Sequence, residues 1–135
     1  MRPNRSMPRC TVIPQLAYPD VIEAADWLCD VFGFSVRIRM GDHRAQLNVG
    51  DGAIVLTKRR EDEVGSSSVM VRVPDVDRHY DHAVKRGCKG AEQPKSFPYG
   101  ERQYNVVDFA GHRWTFSVSI ADVAPEEWGG EAMEL

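Results

Sequence analysis

The chain has 135 residues, of which 42% are hydrophobic and 27% charged, and its formal net charge is −3. This is the length of one domain that can bury a core without disulfides or metals. A mildly acidic chain has no general attraction for nucleic acid or anionic membranes. No apolar run approaches the roughly 20 residues that span a bilayer, and the N-terminus lacks the apolar region of a signal peptide. We therefore expect a cytoplasmic protein with no nucleic-acid or membrane partner.

The first part of the chain has the pattern of a strand, a helix and three strands. Residues 10–17 have a strand-like pattern, and Asp20 follows as a helix N-cap with Glu23 as its capping-box partner. Apolar residues then recur at the spacing of one helix face, at Val21, Ala24, Ala25, Leu28, Cys29 and Phe32. Gly33 is placed to end this helix in a left-handed conformation. Strand-like segments follow at residues 34–40, 43–49 and 53–58, and Gly50-Asp51-Gly52 forms the last hairpin turn.

The same order of a strand, a helix and three strands recurs in the second part of the chain. Asp75 follows a strand-like segment at residues 67–73 and caps a second helical pattern, which Gly87 ends. The two N-caps are 55 residues apart (75 − 20) and the two glycines 54 (87 − 33), so caps and stops repeat together. Three further strands are expected, at residues 89–93, 102–108 and 112–118, with a longer loop at residues 94–100.

These patterns predict one α+β domain over residues 1–135, built from two βαβββ modules. Module one spans about residues 10–59 and module two about residues 67–119, with a charged, serine-rich linker at residues 60–68. A tail at residues 120–135 contains a Pro-Glu-Glu-Trp stretch that suits a last helical turn. We expect a curved mixed sheet that forms a cup, with the helices on its outer face and the pocket on its inner face.

Four segments, in this order and spacing, resemble one known family. They are Ile-Pro-Gln-Leu at residues 13–16, Val-Phe-Gly-Phe at 31–34, Val-Pro-Asp-Val at 73–76 and Asp-Phe-Ala-Gly-His-Arg-Trp at 108–114. The last is similar to the "DPxGHxW" ending of one bacterial branch, with Phe109 in place of proline. Over residues 10–120 the chain thus resembles the vicinal oxygen chelate superfamily, also called the glyoxalase/bleomycin-resistance/dioxygenase group. The resemblance implies a cup of two modules, commonly in a homodimer that shares or exchanges modules.

The resemblance also implies where a metal would sit, because the metalloenzymes of this family take ligands from the first and last strand of each module. These positions fall on Ile13, Val55, Ser68 and Thr115. None of them is His, Glu or Asp, and a divalent metal needs three or four N, O⁻ or S ligands. We therefore expect no metal, no cofactor and no catalytic residue, as in the bleomycin-resistance-like branch.

The histidines and cysteines have plainer interpretations than a reactive site. His79 and His82 are spaced to share a helix face and are expected to be solvated, while His112 is expected to make a structural hydrogen bond. The three cysteines are widely spaced and form neither a metal pair nor a disulfide framework.

Strand alternation predicts the residues that line the cup. They are Thr11, Ile13, Gln15, Ala53, Val55, Thr57, Ser68, Met70, Arg72, Arg113, Thr115 and Ser117. Phe97, Tyr99 and Tyr104, in and just after the longer loop, are expected to add stacking walls.

The leading hypothesis is a homodimer that binds and sequesters a small aromatic molecule or a peptide natural product without metal, in antibiotic resistance for example. The first alternative is a metal-dependent lyase or isomerase of the glyoxalase type. The second is a structural or regulatory dimer whose cup is filled by its own side chains.

Overall fold

The chain folds as a strand, a helix and three strands, twice over, in a computed structural model that describes residues 2–61 and 67–133. The elements are β1 (Gln15–Tyr18), α1 (Val21–Phe32), β2 (Ser35–Met40), β3 (Arg44–Val49), β4 (Gly52–Lys58), β5 (Ser68–Arg72), α2 (Val76–Lys85), β6 (Lys95–Ser96), β7 (Glu101–Val107), β8 (Arg113–Ser119) and a 3-10 helix (Pro125–Trp128). The predicted α+β class with two βαβββ modules is confirmed. Most of the predicted linker, residues 62–66, lies outside the described residues.

Both helices begin and end where the sequence predicts. The Asp20 carboxylate accepts a 3.0 Å hydrogen bond from the Glu23 backbone N–H, and Asp75 accepts one of 3.1 Å from that of Arg78. These bonds satisfy amides that have no partner within the helix. Gly33 ends α1 with a φ of 81°, a left-handed conformation that glycine adopts without the steric cost of a side chain.

Each module forms its own four-stranded mixed sheet. The strand orders are β1-β4-β3-β2 and β5-β8-β7-β6, and only the β1–β4 and β5–β8 pairs are parallel. The two sheets thus have equivalent strand orders, as expected for two copies of one repeated unit.

Two predicted strands are displaced. β1 begins at Gln15 and not at residue 10, because Pro14 has no N–H, although its carbonyl accepts from the Val55 N–H at 2.9 Å. The expected strand at residues 89–93 is also wrong. The Glu92 N–H makes one bond of 3.0 Å to the Asn105 carbonyl, but the strand that pairs with β7 is Lys95–Ser96, inside the predicted loop.

The helices of the two modules lie between the two sheets. α1 packs on its own sheet, and the Phe32 ring at its end contacts Trp114 and Phe116 of β8, at centroid distances of 5.5 and 4.8 Å. α1 also packs against α2, and residues of both modules form one apolar core. The faces without helices, here called open faces, therefore point away from each other. The first open face includes Gln15, Gln46, Val55 and Thr57, and the second includes Met70, Gln103, Arg113 and Thr115.

His79 lies within this contact between the modules, so its predicted solvated position is wrong. Its Nδ1 is 2.5 Å from the Tyr104 hydroxyl and its Nε2 is 2.9 Å from the Phe32 carbonyl oxygen. A neutral ring satisfies both contacts, since Nδ1 accepts from the hydroxyl while Nε2–H donates to the carbonyl. Burial lowers the pKa of His79, and the nearby His82 lowers it further.

His112 makes the structural hydrogen bonds that the sequence predicts. Its Nδ1 accepts from the Ser67 N–H at 2.9 Å, and its Nε2 is 2.7 Å from the Ala17 carbonyl oxygen of β1. Because Nδ1 is the acceptor, Nε2 carries the hydrogen that is donated to Ala17. His112 thus joins the start of module two to the end of β1.

Candidate functional site

The predicted lining residues are divided between the two open faces. Strand pairing places Gln15 beside Val55 on the first face, and Met70 beside Thr115 on the second. The members of the first group are Ala53, Val55, Thr57 and Gln15, with Thr11 and Ile13 preceding β1; those of the second are Ser68, Met70, Arg72, Arg113, Thr115 and Ser117. Since the open faces point apart, one chain does not bring the two groups together in one cup.

The N-terminal segment, residues 2–10, covers part of the first open face. The Arg37 guanidinium donates to the backbone carbonyls of Arg5 and Met7, at 2.9 and 3.1 Å. The Gln46 side-chain amide donates to the Ser6 carbonyl at 2.9 Å, and only 5% of Gln46 remains exposed. This face is therefore occupied in part by the chain's own N-terminal segment.

The second open face carries a connected polar network. Its centre is Glu101, whose carboxylate accepts from the hydroxyls of Ser117, at 2.8 Å, and Ser119. These hydroxyls hold the pKa of Glu101 below its usual value. The Gln103 side chain donates to the Ser117 hydroxyl at 3.1 Å and accepts from the Tyr99 hydroxyl at 3.1 Å. The network fixes the orientation of the Tyr99 ring at the edge of this face.

Cationic and apolar groups flank the network. Arg72 donates to the Ser119 hydroxyl at 2.5 Å and lies 4.0 Å from Glu101. Arg113 is exposed, and 64% of Met70 is accessible to solvent. The Thr115 hydroxyl is engaged by the Asn105 side chain, to which it donates at 2.6 Å. The face thus offers exposed apolar and cationic groups on a scaffold whose polar groups are largely paired.

A small group of aromatic rings stands beside the network. The rings of Phe97 and Tyr99 are stacked, with centroids 5.3 Å apart and an interplanar angle of 12°. Trp128 of the 3-10 helix meets the Tyr99 ring edge-on at 5.5 Å and is 48% exposed. The Lys95 ammonium lies 5.6 Å from the Phe97 ring centroid. Phe97 and Tyr99, two of the predicted stacking walls, therefore lie together, and the tail adds a third ring.

Tyr104 does not belong to this group, which corrects its predicted place among the stacking walls. It pairs with Phe116 across β7 and β8, so its side chain lies on the helix-bearing face, where it is 1% exposed. Tyr80 of α2 packs on it edge-on at 5.3 Å, and burial raises the pKa of Tyr104.

Sequence reasoning missed Glu101, Gln103, Asn105 and Trp128. The three β7 residues pair with Ser119, Ser117 and Thr115 of β8, two of which were expected in the lining. Because side chains alternate between the two faces of a strand, the β7 residues that pair with lining residues of β8 could have been predicted to share their face. No sequence signal brings Trp128 to Tyr99, because that contact depends on the path of the tail.

The four positions that the family resemblance assigns to metal ligands do not fit a divalent metal. The Ile13 and Val55 side chains have no donor atoms, and the Thr115 hydroxyl is bonded to Asn105. Within residues 2–61 and 67–133, no group of three or more His, Cys, Asp or Glu side chains could hold a metal ion. The same described residues include no helix long and apolar enough to cross a membrane.

Comparison with protein families gives a match over residues 9–116 to the model of the glyoxalase/bleomycin resistance protein/dioxygenase superfamily. A comparison with curated proteins found no match. Among solved structures, TioX from Micromonospora sp. ML1 is 31% identical, with 82% of this chain and 98% of that chain covered and a TM-score of 0.72.

Two more distant structures share the fold. A bleomycin-binding protein solved in complex with bleomycin is 17% identical, with 80% of this chain and 97% of that chain covered and a TM-score of 0.67. Lactoylglutathione lyase from Agrobacterium tumefaciens is 16% identical, with 81% and 94% covered and a TM-score of 0.63. The fold alone therefore accommodates both binding proteins and enzymes.

Proposed function

Because this chain belongs to the glyoxalase/bleomycin resistance protein/dioxygenase superfamily, we propose that it binds and sequesters a small aromatic molecule or a peptide natural product without a metal ion. The second open face is the binding surface. Resistance to an antibiotic of this chemistry is the physiological role we propose for such binding.

The observation that carries the proposal is the stacked Phe97–Tyr99 pair beside the polar network. A planar ligand gains area and favourable quadrupole contacts by stacking on such rings. Tyr99 is held by its hydrogen bond to Gln103, so little side-chain entropy is lost when a ligand stacks on it. Arg113 is free to contact an anionic or planar aromatic group from the side.

The same geometry supports a homodimer. The second open face covers a ligand on one side only, because the first open face of the same chain points the other way. Exposed apolar side chains on this face, Met70 at 64% and Val107 at 47%, would be buried by a second subunit. We propose that a second copy encloses the ligand, and sedimentation equilibrium at several concentrations tests this through the measured mass.

Tryptophan fluorescence tests ligand binding directly, because Trp128 contacts Tyr99. The probes are bleomycin and ethidium, a planar intercalating dye, with calorimetry as a second readout. We expect saturable binding of at least one probe, and an affinity up to about tenfold lower for Tyr99→Ala, since stacking contributes about 0.5–1.5 kcal/mol beyond the buried area. Phe109→Ala is the matched control, because Phe109 is a half-exposed ring that packs on Tyr18 and Trp27, away from this face. Failure of both probes to bind saturably, or equal affinities for both variants, would contradict the proposal.

The alternative is a metal-dependent lyase or isomerase of the glyoxalase type. It predicts about one Zn²⁺, Ni²⁺, Fe²⁺ or Mn²⁺ ion per chain that remains bound through dialysis. Elemental analysis of the purified protein distinguishes the two functions. Because the donor set at Ile13, Val55, Ser68 and Thr115 is poor, we expect far less than stoichiometric metal.

A further inference from the structure

A groove of about 840 Å³ lies where the N-terminal segment crosses the first sheet. Four of its lining residues are arginines, namely Arg2, Arg5, Arg9 and Arg37, and its other lining residues are uncharged. This groove is on the first module and is separate from the second open face. The groove thus gathers four of the 17 lysine and arginine residues of a chain whose formal net charge is −3.

Arg37 is the fixed member of this group. It is half-buried, and its guanidinium donates to the carbonyls of Arg5 and Met7 and to the Gln46 side-chain oxygen at 2.5 Å. All three acceptors are neutral, so the positive charge of Arg37 has no carboxylate partner among them. A guanidinium has five N–H donors, and these three bonds leave two of them for a ligand.

Among the described residues, the other three arginines of the groove have no carboxylate partner either. Within the described part of the chain, the side chains of Arg2, Arg5 and Arg9 make no hydrogen bond or ion pair. Three arginines elsewhere in the chain are close to acidic side chains. Arg39 lies 3.3 Å from Asp26, Arg86 lies 2.7 Å from Asp30 and Arg102 lies 3.0 Å from Asp77, the last pair holding the pKa of Asp77 below its usual value.

We propose that this groove binds a small molecule carrying a phosphate-type anion with at least two negative charges. Guanidinium groups bind phosphate through two parallel N–H···O bonds, so several arginines require more acceptor oxygens than one carboxylate offers. The grouped charges also raise the local concentration of anions. Ligand binding here is independent of the aromatic ligand proposed for the second open face.

Calorimetric titration with inorganic pyrophosphate at constant ionic strength tests the proposal. The variant is Arg5→Gln/Arg9→Gln, which removes two exposed charges and keeps Arg37 in place. The matched control is Arg78→Gln/Lys85→Gln, which removes two exposed charges from α2. We expect saturable binding by the wild type and the control, and at least tenfold weaker binding by the variant, with circular dichroism showing that all three are folded.

Two outcomes would overturn the proposal. One is no saturable heat with pyrophosphate, or the same affinity in the Arg5→Gln/Arg9→Gln variant as in the control. The other is binding of a short DNA oligonucleotide that depends on Arg5 and Arg9 without any binding of pyrophosphate, since this would assign the groove to a nucleic-acid backbone.

Discussion

The Tyr18 hydroxyl donates a 2.6 Å hydrogen bond to the Asp108 carboxylate, although the two residues are 90 positions apart and belong to different modules. Asp108 is 4% exposed and also accepts from the Trp114 indole N–H at 3.0 Å and from the backbone N–H groups of Ala110 and His112. Burial and the Asp108 charge both raise the pKa of Tyr18, so its proton remains available for this bond. One carboxylate therefore joins β1 to the end of the second sheet.

Replacing Asp108 with asparagine is expected to destabilise the protein by roughly 3 kcal/mol, because an amide NH₂ would face donors where a carboxylate accepts. Urea denaturation followed by far-UV circular dichroism measures the loss. Tyr18→Phe is the control for one bond and is expected to lose about 2 kcal/mol. A loss below about 0.5 kcal/mol for Asp108→Asn would show that the cluster does not hold the modules together.

Acidification is expected to destabilise the contact between the modules through His79. Burial makes the folded-state pKa of His79 lower than its unfolded value near 6.5, so the unfolded chain binds more protons in the pH range between the two. The stabilising contribution is complete above the unfolded pKa and is lost as pH falls below it. Unfolding free energies measured from pH 8 to pH 5 check this, with His79→Gln as the variant. The variant should be less stable at pH 8 and show a smaller decrease toward pH 5, and equal pH dependence would contradict the assignment.

Gly100→Ala is expected to be more damaging than Gly90→Ala. Both glycines have positive φ, 82° and 76°, but a Cβ at Gly100 would lie 2.4 Å from the Ala121 carbonyl oxygen, whereas Gly90 has open space. Strain alone costs about 1–2 kcal/mol at either position. The clash at Gly100 would also displace the tail, and with it Trp128. Chemical denaturation and Trp fluorescence of the two variants check both effects. Equal losses of unfolding free energy would mean that the tail moves away from the added methyl group without destabilising the protein.

Deleting residues 2–9 is expected to reduce stability by about 1–3 kcal/mol, because Arg37 and the buried Gln46 lose their carbonyl acceptors. The deletion removes three groove arginines and should therefore also abolish pyrophosphate binding. Binding of an aromatic probe at the second open face should be unchanged. Thermal unfolding and the two titrations measure these effects separately, and an unchanged melting temperature would show that the segment contributes little to the fold.

Local patterns in the sequence were sufficient for the repeated architecture. The caps at Asp20 and Asp75 and the stop at Gly33 depend on neighbouring residues, so they could be identified without knowing the fold. The pairing of Val55 and Thr115 with β1 and β5 follows the alternation of strands that the sequence predicts.

The sequence-based predictions that are wrong depend on contacts between segments far apart in the chain. The aromatic ring of Tyr104 suggests a stacking wall of the pocket, whereas its pairing with Phe116 places it on the helix-bearing face. His79 is covered by Phe32, which no helical periodicity of α2 can reveal. The division of the lining between two open faces follows from the packing of α1 on α2, which depends on three-dimensional neighbours.

The two modules repeat the same order of elements, but the contact of Phe32 with Trp114 and Phe116 makes each module depend on the other for its stability. Separated from module one, the second sheet would expose two of the largest side chains of the core to water, and α1 would lose the partner of its last turn. We expect isolated halves to be insoluble or unfolded, yet able to reassemble when mixed. Natural variation at this contact should then be concerted, with changes in one half matched by changes in the other.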